Sequence, residues 1–111
     1  MDKINIGCVV YTMTGDGISA EWSFRRNDVM EQGHGIGTRL TAMQKSRPFE
    51  GEYEIIYQNS KGNRSPKLRL VISYHSGNYQ LIWYENEKVT DIGIGFESDH
   101  KLIASYQKVD L

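Results

Sequence analysis

The second half of the chain alternates apolar and polar residues in short segments, and this pattern constrains the fold more than any other feature. The alternating segments cover residues 51–59, 66–74, 79–84, 89–96 and 101–109. A period of two residues is typical of β-strands with one buried face. Polar stretches such as HSGN and ENEK separate the segments, and connections this short join adjacent antiparallel strands. The pattern therefore predicts a five-stranded meander.

Three further strands are predicted in the first half, at residues 4–13, 18–24 and 33–43. The stretch TGDG between the first two is a strong hairpin turn, whereas RRNDVMEQ reads as a polar link, with a short helical turn at 27–32 as an alternative. Closing eight meandering strands on themselves removes both exposed edges. We therefore predict an all-β chain with a single domain over 1–111, an eight-stranded antiparallel up-and-down β-barrel. A two-sheet sandwich is the alternative.

Glycine stands at every second position in QGHGIGTRL and in TDIGIGFES. If Trp83 faces Ile92 and Leu81 faces Ile94, the large apolar residues share one face, as a core requires. This register places Gly93 and Gly95 outside the barrel. The same reasoning places Ile36 and Leu40 inside and Gly33, Gly35 and Gly37 outside. We interpret the outward glycines as relief for sharp strand coiling, with close approach of another surface as the alternative.

Composition excludes several classes of protein. The formal charge is −1, from 13 basic and 14 acidic residues, which argues against nucleic-acid binding. No apolar stretch approaches the length of a membrane span, and no export signal is visible at the start of the sequence. The lone Cys8 excludes an internal disulfide and suggests a reducing compartment. We expect a cytoplasmic protein with neither a nucleic-acid nor a membrane partner.

The sequence names no catalytic residue, metal site or cofactor. It contains no C-x-x-C, H-E-x-x-H or G-x-S-x-G motif. His34 shares the parity of Ile36 and is therefore expected to point inward near a barrel end. A hydrogen-bonded core histidine is one interpretation, and a ligand contact or an acid–base group is the other.

Aromatic residues dominate the predicted interior. A barrel filled only for stability tends towards aliphatic side chains, because buried hydroxyl groups need hydrogen-bond partners. We therefore predict a non-enzymatic binding module that takes a small amphipathic ligand in its interior. The predicted ligand-binding residues are Trp22, His34, Tyr53, Tyr57, Tyr74, Tyr79 and Trp83. The alternative interpretation is that the tyrosine hydroxyls reach the barrel ends or bond to one another.

An outward apolar patch supports a second hypothesis, a regulatory or interaction protein that forms a homodimer through its outer face. The predicted interface residues are Ile56, Val71, Ile82 and Tyr84.

The phrases FEGEYEIIY, YQLIWY and IGIGF, together with the strand pattern, resemble the calycin-type barrels, which include lipocalins, fatty-acid-binding proteins and avidins. The chain is also similar to small bacterial calycin-like proteins of unassigned role, one of which is a regulator that acts by protein–protein contact. The resemblance implies a barrel with an interior site. The chain departs from lipocalins near the first strand, where GCVVY stands in place of their Gly-x-Trp, so the resemblance implies no particular ligand.

Overall fold

A computed structural model describes residues 5–109, which form eight antiparallel β-strands in a closed barrel. Each strand pairs with its neighbours along the chain, and the first pairs with the last, as predicted. Residue 4, the predicted start of the first strand, lies outside the described residues. None of the described segments is a helix long and apolar enough to cross a bilayer. The strands are β1 (Asn5–Met13), β2 (Gly17–Arg26), β3 (Val29–Arg39), β4 (Gly51–Asn59), β5 (Leu68–His75), β6 (Asn78–Glu85), β7 (Lys88–Ser98) and β8 (Lys101–Lys108).

Tight hairpins connect β5 to β6, β6 to β7 and β7 to β8. Both central residues of each turn have positive φ, as a two-residue turn of the type that matches strand twist requires. The β2–β3 connection is equally short, because Arg26 pairs with Val29 across residues 27 and 28. The expected polar link or helical turn at 27–32 was therefore wrong: β3 begins at Val29 and ends at Arg39, and residues 40–50 form the loop instead.

The β2–β3 register corrects the predicted orientation of the first glycine run. Trp22 pairs with Gly33, and Ala20 pairs with Gly35, so the glycines share the inward face of the apolar residues on β2. Ile36 lies outside with 72% of its surface exposed, and Leu40 is also exposed. The prediction assigned the bulkier residues to the core, but the two-residue turn determines which face of β3 is inward.

The second glycine run is inverted for a different reason, a β-bulge. Tyr84 pairs with Val89, but Trp83 pairs with Asp91, so Thr90 is an extra residue without a partner on β6. One extra residue moves every following side chain of the strand to the opposite face of the sheet. Gly93 consequently lies opposite Leu81. The predicted pairing was wrong, and these large residues lie outside and exposed: Ile92, Ile94 and Phe96.

The inward glycines make room for aromatic rings. A Cβ atom on Gly7 would lie 2.2 Å from Cζ of Tyr106, and a Cβ on Gly93 would lie 3.2 Å from Cζ3 of Trp83. These rings thus lie against the backbone of a neighbouring strand. Strand glycines covered by a cross-strand aromatic ring are a known means of shaping a sheet.

One end of the barrel is closed by the loop between β3 and β4. Phe49 is fully buried there, and the hydroxyl of Tyr53 donates to its carbonyl oxygen over 2.8 Å. The guanidinium of Arg39 donates to the carbonyl oxygens of Pro48 and Glu50 and to the Tyr53 hydroxyl. Since one side chain holds two loop carbonyls and a core tyrosine, the loop is fixed across the opening.

The opposite end contains the ends of β2, β4, β6 and β8 and the start of β1. Here β1 and β8 form the seam that closes the barrel, with Gly7 paired to Tyr106. The amide of Lys108 donates to Oδ1 of Asn5 over 3.1 Å, which joins the last residue of β8 to the first residue of β1. This end is open.

Candidate functional site: an aromatic cavity at the open end

A cavity of about 660 Å³ occupies the barrel interior at the open end. This volume lies within the range of typical small-molecule sites, about 300–1,000 Å³. Inward residues from six strands form its floor and walls. They are Val9 and Tyr11 of β1, Trp22 and Phe24 of β2, Tyr57 of β4, Leu68 of β5, Trp83 of β6 and Tyr106 of β8.

The walls consist of aromatic rings that support one another. The rings of Phe24 and Tyr106 are stacked with centroids 5.8 Å apart, and those of Trp83 and Tyr106 are tilted at 5.5 Å. Trp22 packs over Gly33 and donates its indole N–H to the carbonyl oxygen of His34 over 2.9 Å. Because strand backbone and neighbouring rings hold these side chains against the wall, the lumen between them stays open.

A hydrogen-bonded trio forms the floor. The indole N–H of Trp83 donates to the hydroxyl of Tyr57 over 2.7 Å, and the hydroxyls of Tyr11 and Tyr57 are 2.6 Å apart. Tyr11 is fully buried, whereas Tyr57 is only partly buried. The trio brings together residues of β1, β4 and β6, so the floor is anchored on three sides of the barrel.

Burial keeps the floor hydroxyls protonated. It raises the pKa of Tyr11 well above its usual value, and it raises the pKa of Tyr57 and of Tyr106 as well. The nearby carboxylate of Asp91 raises the pKa of Tyr57 and Tyr106 further. At neutral pH these groups are therefore neutral hydrogen-bonding groups that act as neither nucleophiles nor general bases.

The mouth carries charges of both signs. Arg26, Arg64 and Lys108 line it together with Glu31 and Asp91. Lys108 and Asp91 are cross-strand partners, yet no ion pair within 4 Å joins them, and Lys108 Nζ lies 5.9 Å from the centroid of the Phe24 ring. The charged groups thus surround an apolar opening and could meet the polar end of a bound molecule.

The structure places six of the seven predicted ligand-binding residues on the inner face of the barrel, in two groups. Trp22, Tyr57 and Trp83 line the cavity. Tyr53, Tyr74 and Tyr79 point inward at the closed end, away from it. There Tyr74 and Tyr79 pack edge to face at 5.2 Å, and the Tyr79 hydroxyl donates to Glu97. The binding role of all six stays a prediction.

The expectation that His34 points inward was wrong. It is exposed on the outer face of β3, because the β2–β3 turn places Gly33 and Gly35, rather than His34, on the inner face. The predicted ligand contact or acid–base role of His34 therefore has no support from the cavity.

Sequence reasoning missed part of the site. Tyr11, Phe24, Tyr106 and Asp91 line the cavity but were not among the predicted ligand-binding residues. A signal for Tyr11 was present: the TGDG hairpin places it opposite Ala20, a predicted inward residue. Asp91 had no such signal, because the unpaired Thr90 determines its face.

The predicted interface residues lie on the outer surface but not in one patch. Val71 pairs with Ile82 and Ile82 pairs with Ile92, so these residues are contiguous. Ile56 lies on β4, four residues along the strand from the partner of Val71, and pairs with Ile36 of β3. The guanidinium of Arg69 covers Tyr84 at 4.5 Å.

Among residues 5–109, no group of three or more histidine, cysteine, aspartate or glutamate side chains is arranged to hold a metal ion. No protein-family model, curated protein or solved structure matches the chain. The closed, eight-stranded, antiparallel barrel fits a calycin-like fold.

Proposed function

We propose that the protein is a non-enzymatic binding module that holds a small amphipathic molecule in the aromatic cavity. The observation that carries the proposal is the cavity itself, about 660 Å³ of lumen walled by Trp22, Phe24, Trp83 and Tyr106. A barrel filled for stability alone would place side chains in this space, since protein interiors are normally close-packed.

The distribution of polarity in the cavity supports an amphipathic ligand. Aromatic walls favour burial of an apolar or aromatic body, at about 25 cal/mol per Å² of apolar surface removed from water. Charged groups are confined to the mouth, where a polar end of the ligand would remain in contact with water. We propose binding rather than catalysis because the groups at the floor are neutral tyrosine hydroxyls that burial keeps protonated.

Native mass spectrometry of gently purified protein tests the proposal first. A co-purified small molecule is the expected result. Calorimetric titration with the amphipathic dye 1-anilinonaphthalene-8-sulfonate tests it independently of any retained ligand, with one-to-one binding expected.

A matched pair of variants locates the bound dye. Leu68→Trp narrows the cavity and should weaken binding at least tenfold, whereas Thr38→Trp, on the exposed outer face of β3, should leave binding unchanged. Equal affinity in both variants would show that the dye binds outside the barrel.

A second candidate function, self-association, is favoured by the outer face of β5 to β8. The outward residues Val71, Ile82, Ile92, Ile94, Phe96 and Ile103 lie on these four strands, and we call them the apolar band. Ile94 is 58% exposed, and its cross-strand neighbours are the uncharged Gln80 and Ser105. We propose that a second copy of the chain packs on the apolar band, because two such surfaces could meet without burying a charge.

Sedimentation equilibrium tests this candidate. Wild-type protein should form a dimer, and Ile94→Glu should be monomeric. Ile36→Glu, which changes another exposed isoleucine on the opposite side of the barrel, should remain dimeric. A wild-type monomer at high concentration would exclude self-association.

A further inference from the structure

The floor of the cavity holds one more donor proton than it uses. Trp83 N–H, Tyr11 O–H and Tyr57 O–H supply three protons, and only two hydrogen bonds join these groups. Whichever hydroxyl donates in the tyrosine pair, one hydroxyl proton has no acceptor within the trio.

The difference in burial between Tyr11 and Tyr57 indicates that the spare proton belongs to Tyr57. The Tyr11 hydroxyl is fully buried, and of its two neighbours in the trio only the Tyr57 hydroxyl can accept its proton, because the Trp83 N–H is a donor. A buried hydroxyl proton needs an acceptor, so Tyr11 donates to Tyr57. Tyr57 then accepts from both Trp83 and Tyr11, and its own proton is left to point into the lumen that its side chain lines.

A charge on the mouth side of Trp83 restricts the acceptor that could take this proton. Asp91 lines the cavity next to Trp83, its cross-strand partner, and its negative charge acts on the hydroxyls of both Tyr57 and Tyr106. A ligand carboxylate placed at Tyr57 would be repelled by Asp91, whereas a carbonyl, ether or ring nitrogen would not.

We propose that the cavity selects aromatic ligands that present an uncharged hydrogen-bond acceptor to the hydroxyl of Tyr57. This selectivity rests on the proposed binding function and adds to it the chemistry of the buried end of the ligand. The charged mouth leaves the other end of the ligand free to be polar.

The probe for the test is 2-acetylnaphthalene labelled with ¹³C at the carbonyl carbon. Occupancy is read from saturable quenching of Trp22 and Trp83, the two tryptophans in the chain, both of which line the cavity. Hydrogen bonding is read separately from the infrared carbonyl band. Absence of saturable quenching counts against the binding function, whereas quenching with a carbonyl band at its position in hexane overturns the selectivity. The expected result is a bound band at lower wavenumber than in hexane.

Two variants that each remove a single hydroxyl identify the donor. Tyr57→Phe removes the spare proton, so the carbonyl band should leave its wild-type position. Tyr74→Phe, at the closed end and away from the cavity, should leave the band unchanged. A Tyr57→Phe band that coincides with the wild-type band, or equal shifts in both variants, overturns the assignment to Tyr57. The wild-type spectrum tests the proposal even if Tyr57→Phe does not fold.

The requirement for an uncharged acceptor is tested with 2-naphthoate, which places a carboxylate where the first probe has its acetyl group. Asp91→Asn should tighten 2-naphthoate about threefold to tenfold while changing 2-acetylnaphthalene less than twofold. Glu21→Gln, on the exposed outer face of β2, should change both affinities by less than twofold. If Asp91→Asn changes the affinity for both probes equally, or for neither, the charge of Asp91 does not exclude carboxylates and this part of the proposal fails.

Discussion

The ring of Tyr57 lies over the backbone of Gly35 on the neighbouring strand, so that a Cβ atom at Gly35 would be only 2.6 Å from Cδ1 of Tyr57. The ring can lie flat against the neighbouring strand only because Gly35 has no side chain, so the ring and the glycine together form this part of the cavity wall. The hydroxyl of the same ring holds Tyr11 and Trp83 at the floor. The glycine thus fixes the position of the donor.

Gly35→Ala should displace the Tyr57 ring and destabilise the protein by about 1–3 kcal/mol, the usual cost of overpacking a core. The loss should outweigh the gain of about 0.5–1 kcal/mol that alanine brings to a strand. Urea unfolding measures the change. Gly15→Ala, where no atom beyond the adjacent residues lies within 4 Å of the added methyl group, should be nearly neutral. Equal stability of the two variants would contradict the proposed contact.

Deleting Thr90 should leave the fold intact. Val89 already pairs with Tyr84 and Asp91 with Trp83, so removing the extra residue restores a regular ladder and keeps Gly93 and Gly95 inside. We expect a loss of about 1–3 kcal/mol, because two hydrogen bonds disappear, the long one from Thr90 Oγ1 to the Trp83 carbonyl and the one from the Val109 amide to the Thr90 carbonyl.

Deleting Ile92 is the matched control, since it forces Ile94 and Phe96 into the interior beside the aromatic rings. This variant should be unfolded or destabilised by several kcal/mol. Circular dichroism and urea unfolding distinguish the two deletions. Equal effects would show that the bulge does not determine which face of β7 is inward.

Features that depend on local alternation were predictable from the sequence. The eight strands and the inward faces of β4 and β6, with Tyr53 and Ile55 on one and Leu81 and Trp83 on the other, follow from the period of two and match the structure. The inward faces of β3 and β7 were not predictable in this way, because a two-residue turn and the unpaired Thr90 determine them. Hydrophobicity favoured isoleucines in the core, whereas bulky rings on neighbouring strands required glycine there. Three of the cavity residues were predicted, but the cavity as a volume depends on these ring–glycine contacts.

Arg39→Gln should release the loop that closes the barrel. The variant loses the donations to Pro48, Glu50 and Tyr53, at a cost of about 2 kcal/mol or more, since hydrogen bonds from a charged donor contribute more than neutral ones. Trypsin should then cleave at the exposed Lys45 faster than in the wild type.

Arg25→Gln serves as the control, because Arg25 is exposed and its guanidinium donates to Asn27 in the β2–β3 turn instead. Cleavage at Lys45 at the wild-type rate in both variants would show that Arg39 does not hold the loop.

Stability should fall as the pH rises from 10 to 12. Burial raises the pKa of Tyr53 to about 12 from its usual value of 10.0, so between these values the unfolded chain loses the proton while the folded chain keeps it. Each such tyrosine lowers the unfolding free energy by up to about 1.4 kcal/mol per pH unit over that window. Tyr11, Tyr57 and Tyr106 act in the same direction.

Urea unfolding at a series of pH values measures how steeply the free energy of unfolding falls. In Tyr53→Phe this fall should be smaller by up to about 1.4 kcal/mol per pH unit, the contribution of one proton. Tyrosine absorbance should show ionisation delayed in the native protein. A stability that rises between pH 10 and 12 would contradict the assignment.

The seam between β1 and β8 has a consequence for folding kinetics. Every other strand pair joins neighbours along the chain, but the pairing of Gly7 with Tyr106 must close almost the whole polypeptide into a loop, at an entropic cost that local hairpins avoid. Until it forms, β1 and β8 are open edges on which another chain could add. Val9 and Tyr106, one on each side of the seam, both line the cavity. If the cavity binds a ligand as proposed, that ligand would bridge the seam, and we expect it to slow the opening of the barrel more than it changes the rate of closing.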